Sequence, residues 1–174
     1  MASIDVLDIS PYSLSQSEQF LKTCQDVDQT KVAFVEGNAL HMPFVDERFD
    51  WIETDFFIQF FSPEEKVTLF QEWYRVLKPG GIITTRDWLQ RRQNFVEHVI
   101  SRIKNWCIRH ILGPTACSVS ASEVKKILSA IGFEVAFFPV KIPVINIGIP
   151  TMSYVIAYKP SNGTFMSVTP CLEG

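Results

Sequence analysis

Glycine is scarce in this sequence, and none of it is spaced as a nucleotide-cradling loop requires. The eight glycines are Gly37, Gly80, Gly81, Gly113, Gly132, Gly148, Gly163 and Gly174, and no two are separated by a single residue. A nicotinamide-type G-x-G-x-x-G is therefore excluded. The four cysteines (Cys24, Cys107, Cys117, Cys171) form no C-x-x-C pair, and the three histidines (His41, His98, His110) do not join them at ligand spacing. No metal site is expected, and reduced thiols in a cytoplasmic protein are the simpler reading. No apolar run approaches the roughly 18 residues of a membrane span. The opening MASIDVLDIS has no basic stretch leading into an apolar one, so no signal peptide is expected. The net charge of −3 excludes a protein that works by blanketing nucleic acid with positive charge.

What is present can build a core. Hydrophobic residues make up 47% of the 174 positions, aromatics 13% and charged residues 20%. That balance rules out global disorder, and the length suits one domain. The expected division is an α/β domain over residues 1–160 and a loose polar tail over 161–174.

Strand and helix signals alternate along that domain. Ile4–Ile9 reads as a strand, and Ser10-Pro11 as N-cap and first position of a helix reaching about Cys24, with Leu14, Phe20 and Leu21 inward. Lys31–Glu36 and Phe49–Thr54 read as strands. Ser62-Pro63-Glu64-Glu65 spells a capping box, and Val67, Phe70, Trp73, Tyr74 and Leu77 follow at helical spacing. Lys78-Pro79-Gly80-Gly81 turns the chain into a strand at Ile82–Asp87. A long amphipathic helix is expected over Gln93–Leu112. Ser120 and Glu123 spell a second capping box, for a helix ended by a left-handed Gly132. Phe133–Val140 and Thr151–Lys159 are the last strands, around an irregular Lys141–Pro150. This order predicts an α/β fold with a mainly parallel sheet. The last two strands have no helix between them, so one of them should be antiparallel.

Ligands of open parallel sheets bind outside the C-terminal strand ends. Asp8, Gly37-Asn38-Ala39, Thr54-Asp55 and Arg86-Asp87 fall there. Asp8 is the sharpest candidate, because an ionised carboxylate offers acceptor oxygens to a pair of ribose hydroxyls. The alternative is a solvated aspartate favoured by the helix that follows. Asn38 can read an adenine edge, or simply turn the chain after Gly37. Asp55 can face a cofactor's charged end or a substrate, or be a partly exposed strand-end acid. Arg86–His110 carries six Lys/Arg against two acids, which reads better as a solvated helix face than as a nucleic-acid surface. Phe56, Phe57, Phe60 and Phe61 can line a substrate pocket, although core packing explains most of them more simply.

At these residues the sequence resembles the class I S-adenosylmethionine-dependent methyltransferases, most nearly the small-molecule group of ubiquinone and menaquinone biosynthesis. The blocks VLDISPYSL, VEGNALHMPFVDERFDWIETDFFIQFF, FQEWYRVLKPGGIITTRDW and EVKKILSAIGFEV carry the resemblance, over roughly residues 4 to 159. The resemblance implies a Rossmann-like sheet, mainly parallel with one antiparallel strand, and S-adenosylmethionine as cofactor. It implies that Asp8 binds both ribose hydroxyls, that Ile9 lies under the adenine, and that Asn38 and Ala39 form the adenine loop. Asn38 stands where the family usually has aspartate. Asp55 falls at the strand end that faces the methionine moiety and the substrate, and ranks first for orienting or deprotonating the nucleophile, ahead of Asp87 and Gln59. The family's D-x-G-x-G-x-G loop has no counterpart here. The resemblance thus implies a chain that starts at the second family strand, without the first strand and its loop, and that binds the cofactor weakly or not at all.

Two functions are then expected. One is methyl transfer to a small-molecule acceptor in the cytoplasm. The other is a non-catalytic methyltransferase-like module acting through a partner protein. An unpaired central strand edge would favour a homodimer, or a partner chain completing the sheet.

Overall fold

Helix caps and strand ladders set the elements that position the candidate residues. The computed structural model describes residues 3–90, 119–139 and 152–161. The expected helix at Gln93–Leu112, the irregular Lys141–Pro150 and all but the first residue of the expected tail lie outside the described residues. The chain divides between Val45 and Asp46 into two units, taken here in turn.

The first unit is a β-α-β segment. Strand β1 (Ile4–Asp8) pairs in parallel with β2 (Val32–Glu36), in a register running from Ile4↔Val32 to Asp8↔Glu36. Helix α1 (Pro11–Leu21) starts as its spelling predicts: Pro11 occupies the first turn, and the Ser10 hydroxyl accepts from the Ser13 N–H at 3.3 Å. It stops three residues before Cys24. There Thr23 N–H donates to Phe20 O and Cys24 N–H to Leu21 O, the tightened bonding of a closing turn. Leu14 is the buried apolar residue of this helix, while Phe20 is 71% exposed. Phe20 lies six residues past Leu14, well off its stripe, so the inward placement expected for it is corrected. A short 3-10 turn at Gln29–Lys31, capped by Asp28, takes Lys31 out of the expected second strand.

The second unit is a mixed sheet in the order β3-β4-β7-β6. It comprises β3 (Phe49–Asp55), α2 (Pro63–Val76), β4 (Leu77–Gln90), the two-residue β5 (Val119–Ser120), α3 (Ala121–Ile131), β6 (Glu134–Pro139) and β7 (Met152–Tyr158). Strands β3 and β4 are parallel, and β7 runs antiparallel to both β4 and β6. The expected single reversal is therefore β7. The unexpected β5 extends β4 at Leu89↔Val119 and Gln90↔Ser120.

The Lys78–Gly81 turn survives as an irregularity inside β4. Phe49 pairs with Leu77 but Trp51 with Ile82, so most of the turn is extruded from the ladder. Gly80 takes φ +84°, and it is anchored by its N–H donating to Lys159 O at 2.8 Å.

The capping box of α2 forms as spelled: Glu65 N–H donates to Ser62 Oγ at 3.2 Å and Ser62 N–H to Glu65 Oε2 at 2.8 Å. Its buried stripe is Lys66, Leu69, Phe70, Trp73 and Val76, whereas Val67 is 37% exposed. The second spelled box does not form. Ser120 makes no cap bond to α3, and its hydroxyl pairs with Ser122 Oγ at 2.7 Å instead. Gly132 ends α3 at φ +118°, as expected. Val124 and Leu128 of α3 and the α2 stripe form the core with Ile83, Leu89, Val155 and Ala157 of the sheet. Along β4 this buried face alternates with Ile82, Thr84 and Arg86, which point the other way.

Candidate functional site

The first unit brings Asp8, Ile9, Asn38 and Ala39 to the same end of two parallel strands. Asp8 closes β1 and Asn38 follows β2 by two residues. Asp8 Oδ1 accepts from Ser10 N–H at 2.8 Å, which ties the carboxylate to the start of α1. Its other oxygen has no partner among the described residues. A carboxylate offers about four lone-pair positions, so this one retains room for hydroxyl donors. Ile9, next to it, is 69% exposed, an apolar surface available for a planar ring.

The turn after β2 is held tightly. Asn38 Oδ1 accepts from Leu40 N–H at 2.9 Å, and His41 N–H donates to Asn38 O at 3.0 Å. The Asn38 amide keeps a second lone pair on Oδ1 and both Nδ2 donors. Gly37 has no room for a side chain: a Cβ there would sit 2.9 Å from Leu7 Cδ1 and 3.0 Å from Pro43 Cδ. These features fit the adenosine end of a nucleotide, namely a partly free carboxylate, an exposed aliphatic surface and an amide edge on closely packed backbone.

The second unit places Asp55 at the end of β3, directly opposite Arg86 of β4. Arg86 Nε donates to Asp55 Oδ1 at 2.7 Å, and Nη2 makes a second, short bond to Oδ2. This is a two-pronged guanidinium–carboxylate fork. The Arg86 hydrogen bond, with a smaller charge contribution, holds the Asp55 carboxyl below its ordinary range against a raising effect of burial. Asp55 is therefore a weak proton acceptor at neutral pH.

The remaining strand-end residues take structural roles. Asp87 is fully buried, and its Oδ2 accepts from Ile58 N–H at 2.9 Å. It anchors the loop between β3 and α2 and is shut off from solvent, which removes it as a base. Gln59 donates to Phe56 O at 3.0 Å within the same loop. Phe56 takes φ +50°, an uncommon backbone for a bulky residue, and its N–H donates to Arg86 O at 2.8 Å. Core packing does not account for Phe60, which is 57% exposed; the loop's buried side chain is Ile58. Thr54 and Thr85, cross-strand partners, have buried hydroxyls without a partner among the described residues.

The Asp55–Arg86 fork is the feature that sequence reasoning missed. Both residues had been placed at strand ends, but the pairing depends on ladder register across 31 positions. Among the described residues, no three His, Cys, Asp or Glu side chains gather as a metal site, and no helix is long and apolar enough to cross a membrane.

Residues 2–85 match the family described as Methyltransferase domain. A demethylmenaquinone methyltransferase of Geobacillus sp. (strain WCH70) is 36% identical over 84 residues, which make up 48% of this chain and 34% of that protein. The chain thus spans about a third of that relative's length. Among solved structures, a SAM-dependent methyltransferase of Methanosarcina mazei matches with a TM-score of 0.71 at 21% identity, over 91% of this chain and 82% of that one. The [4+2]-cyclase SpnF matches with a TM-score of 0.66 at 15% identity, over 92% of this chain and 68% of its own. Likeness at these identities speaks for the fold alone, and function must be argued from the site.

Proposed function

We propose that this chain, which has a Rossmann-like fold, is a class I S-adenosylmethionine-dependent methyltransferase domain that serves methyl transfer to a small-molecule acceptor. The observation that carries this reading is the partly free Asp8 carboxylate, at the end of β1 beside the exposed Ile9 and the Asn38 turn. In this reading Asp8 accepts from the ribose hydroxyls, Ile9 lies against the adenine, and Asn38 with Ala39 meets its edge. The bound cofactor supplies a methyl group already activated on a sulfonium. Holding an acceptor atom in line with that methyl then provides much of the acceleration.

Asp55 in this reading orients rather than deprotonates. Both its oxygens are engaged by Arg86, which leaves it poorly suited to take a proton and well suited to fix a guanidinium. The acceptor is accordingly one that already carries an ionised or otherwise reactive nucleophile.

Calorimetry with S-adenosylhomocysteine tests the cofactor reading. These residues hold no glycine-rich loop for the methionine half, so a dissociation constant on the order of 0.1–1 mM is expected. Asp8→Ala should abolish that binding. Equal binding by wild type and Asp8→Ala would refute the assignment. The absent glycine spacing favours one second reading, a methyltransferase-like module that binds a partner without turnover. It predicts no binding of S-adenosylhomocysteine even at millimolar concentration. Under either reading the edges of β1 and β3 that carry no ladder among the described residues favour pairing with a further strand, from a second copy or another chain. A strictly monomeric mass by sedimentation counts against that pairing.

A further inference from the structure

Three side chains lie in one row across adjacent strands of the second unit. Asp55 of β3 is the cross-strand partner of Arg86, and Arg86 is the cross-strand partner of Tyr154 on β7. Directly opposed residues project from the same face of a sheet. Carboxylate, guanidinium and phenol therefore stand side by side, at the C-terminal end of β3 and four residues before the end of β4. All three remain open to solvent: the Asp55 and Arg86 side chains are 50% and 37% exposed, and Tyr154 is 42% exposed.

The guanidinium is fixed by two neighbours. Asp55 occupies the fork formed by Nε and Nη2. The Phe56 ring lies beneath, its centroid 5.4 Å from Arg86 Cζ. Tyr154, its cross-strand partner on β7, stands beside it on the same face. Phe56 is itself pinned to β4 through its N–H and the Arg86 carbonyl at 2.8 Å. A free surface arginine loses side-chain entropy when it grips a ligand, and this one has largely lost it already.

A guanidinium has two planar forks, and Asp55 uses one. The other, formed by the outer Nη1 and Nη2 protons, matches a second carboxylate in the same plane, with a phenol alongside as a further donor. The same face continues into exposed aromatic and aliphatic surface. Trp51 is 55% exposed and held by its indole N–H donating to Thr84 Oγ1 at 2.8 Å, and Ile82 is 36% exposed. An anionic head beside such surface selects for a carboxylate on a planar apolar body.

We propose that the Asp55–Arg86–Tyr154 row is a recognition site for an aromatic carboxylate, with Arg86 gripping the carboxylate through its outer fork. As the acceptor site this rests on the methyl-transfer reading; as an anion site it stands without it.

The test uses the full chain, with benzoate as probe and benzamide as its uncharged match, followed by saturation-transfer NMR titration. Benzoate is expected to bind roughly tenfold or more tightly than benzamide. Arg86→Gln should lose that preference, Arg86→Lys should keep only part of it because an ammonium has no fork, and Tyr154→Phe should weaken benzoate a few-fold. Lys78→Gln, which removes an exposed positive charge paired with Asp50, should change nothing. Equal binding of benzoate and benzamide overturns the proposal, as does full benzoate binding by Arg86→Gln. Circular dichroism checks that each variant is folded; if Arg86→Gln is not, Tyr154→Phe and Arg86→Lys decide. S-adenosylhomocysteine binding is measured on the same samples. Benzoate selectivity without cofactor binding would sink the methyl-transfer reading alone, and cofactor binding without benzoate selectivity would sink this site alone.

Discussion

Replacing Lys159 with methionine should cost more stability than any surface charge change in this protein. Lys159 follows β7, and its side chain is 8% exposed. Its Nζ donates to Tyr74 O at 2.9 Å and to Leu77 O at 2.7 Å, at the C-terminal end of α2. It also lies 4.4 Å from the centroid of the Tyr74 ring, and 3.9 Å from Glu47 Oε1. A helix end leaves its last carbonyls without intrahelical partners, and carries partial negative charge. The ammonium answers both. Lys159→Met keeps the aliphatic stem and removes the head. Two carbonyls are then left short of a donor, at about 1–3 kcal/mol each. Loss of the charge at the helix end and over the ring adds roughly 1 kcal/mol. Relief of the buried ammonium's desolvation offsets several kcal/mol of this sum. The expected net loss is about 3 kcal/mol. With a urea m-value of about 2 kcal/mol/M, the midpoint falls by about 1.5 M at unchanged m. Glu47→Gln, which removes an exposed and distant partner, should stay within about 0.5 kcal/mol. A Lys159→Met midpoint within about 0.3 M of wild type, or above it, refutes the reasoning. It would mean that burying the ammonium costs as much as its bonds return.

Three further outcomes follow from the same geometry. Gly81→Ala should cost more than about 3 kcal/mol by urea denaturation, since a Cβ would meet Leu77 Cγ at 2.7 Å and the carbonyls of Lys78 and Asp50 at 2.9 and 3.0 Å. Its neighbour fails differently: Gly80→Ala has open space but φ +84°, and should cost about 1–2 kcal/mol. Ser62→Ala should lower stability by about 1 kcal/mol and Ser120→Ala by less than about 0.5 kcal/mol, because only the first hydroxyl caps a helix. The Asp55 carboxyl, followed by NMR, should titrate below 3.8, and Arg86→Gln should return it to that ordinary value. An unfolded aspartate titrates near about 3.9, so the pair's contribution is present above that pH and is lost as pH falls through the lower folded value. An ordinary midpoint in the wild type would mean that the fork does not form in solution.

Much of the fold was legible because its signals are local. Ser10-Pro11, the Ser62–Glu65 box and the left-handed Gly132 depend on a few neighbouring residues, and each formed where it was spelled. The misreadings came from context. Ser120 and Glu123 spell the same cap as Ser62 and Glu65, but Ser120 is also the last residue of β5, paired with Gln90, and its hydroxyl is taken by Ser122. In the stripe read for α2, Phe70, Trp73 and Leu77 are buried as expected, but Val67 is exposed and Lys66 is buried in its stead. Helix geometry puts Lys66 on the same face as Leu69, Phe70 and Trp73, and buries it with them.

The site shows where local signals stop. Asp8, Asp55 and Asp87 look alike in sequence, each an acid at the end of a strand. Their neighbours in space make them different objects. Asp87 is sealed in the core, holding Ile58 N–H. Asp55 spends both oxygens on Arg86. Asp8 gives one oxygen to Ser10 N–H, two residues away, and has no partner for the other among the described residues. The two long-range partnerships, across 29 and 31 positions, are fixed by ladder register and loop packing, which no local pattern encodes. The short-range one follows from the strand-to-helix turn itself. Among the described residues, nothing distant competes for Asp8. That leaves room on its carboxylate for the ribose hydroxyls of the proposed cofactor site.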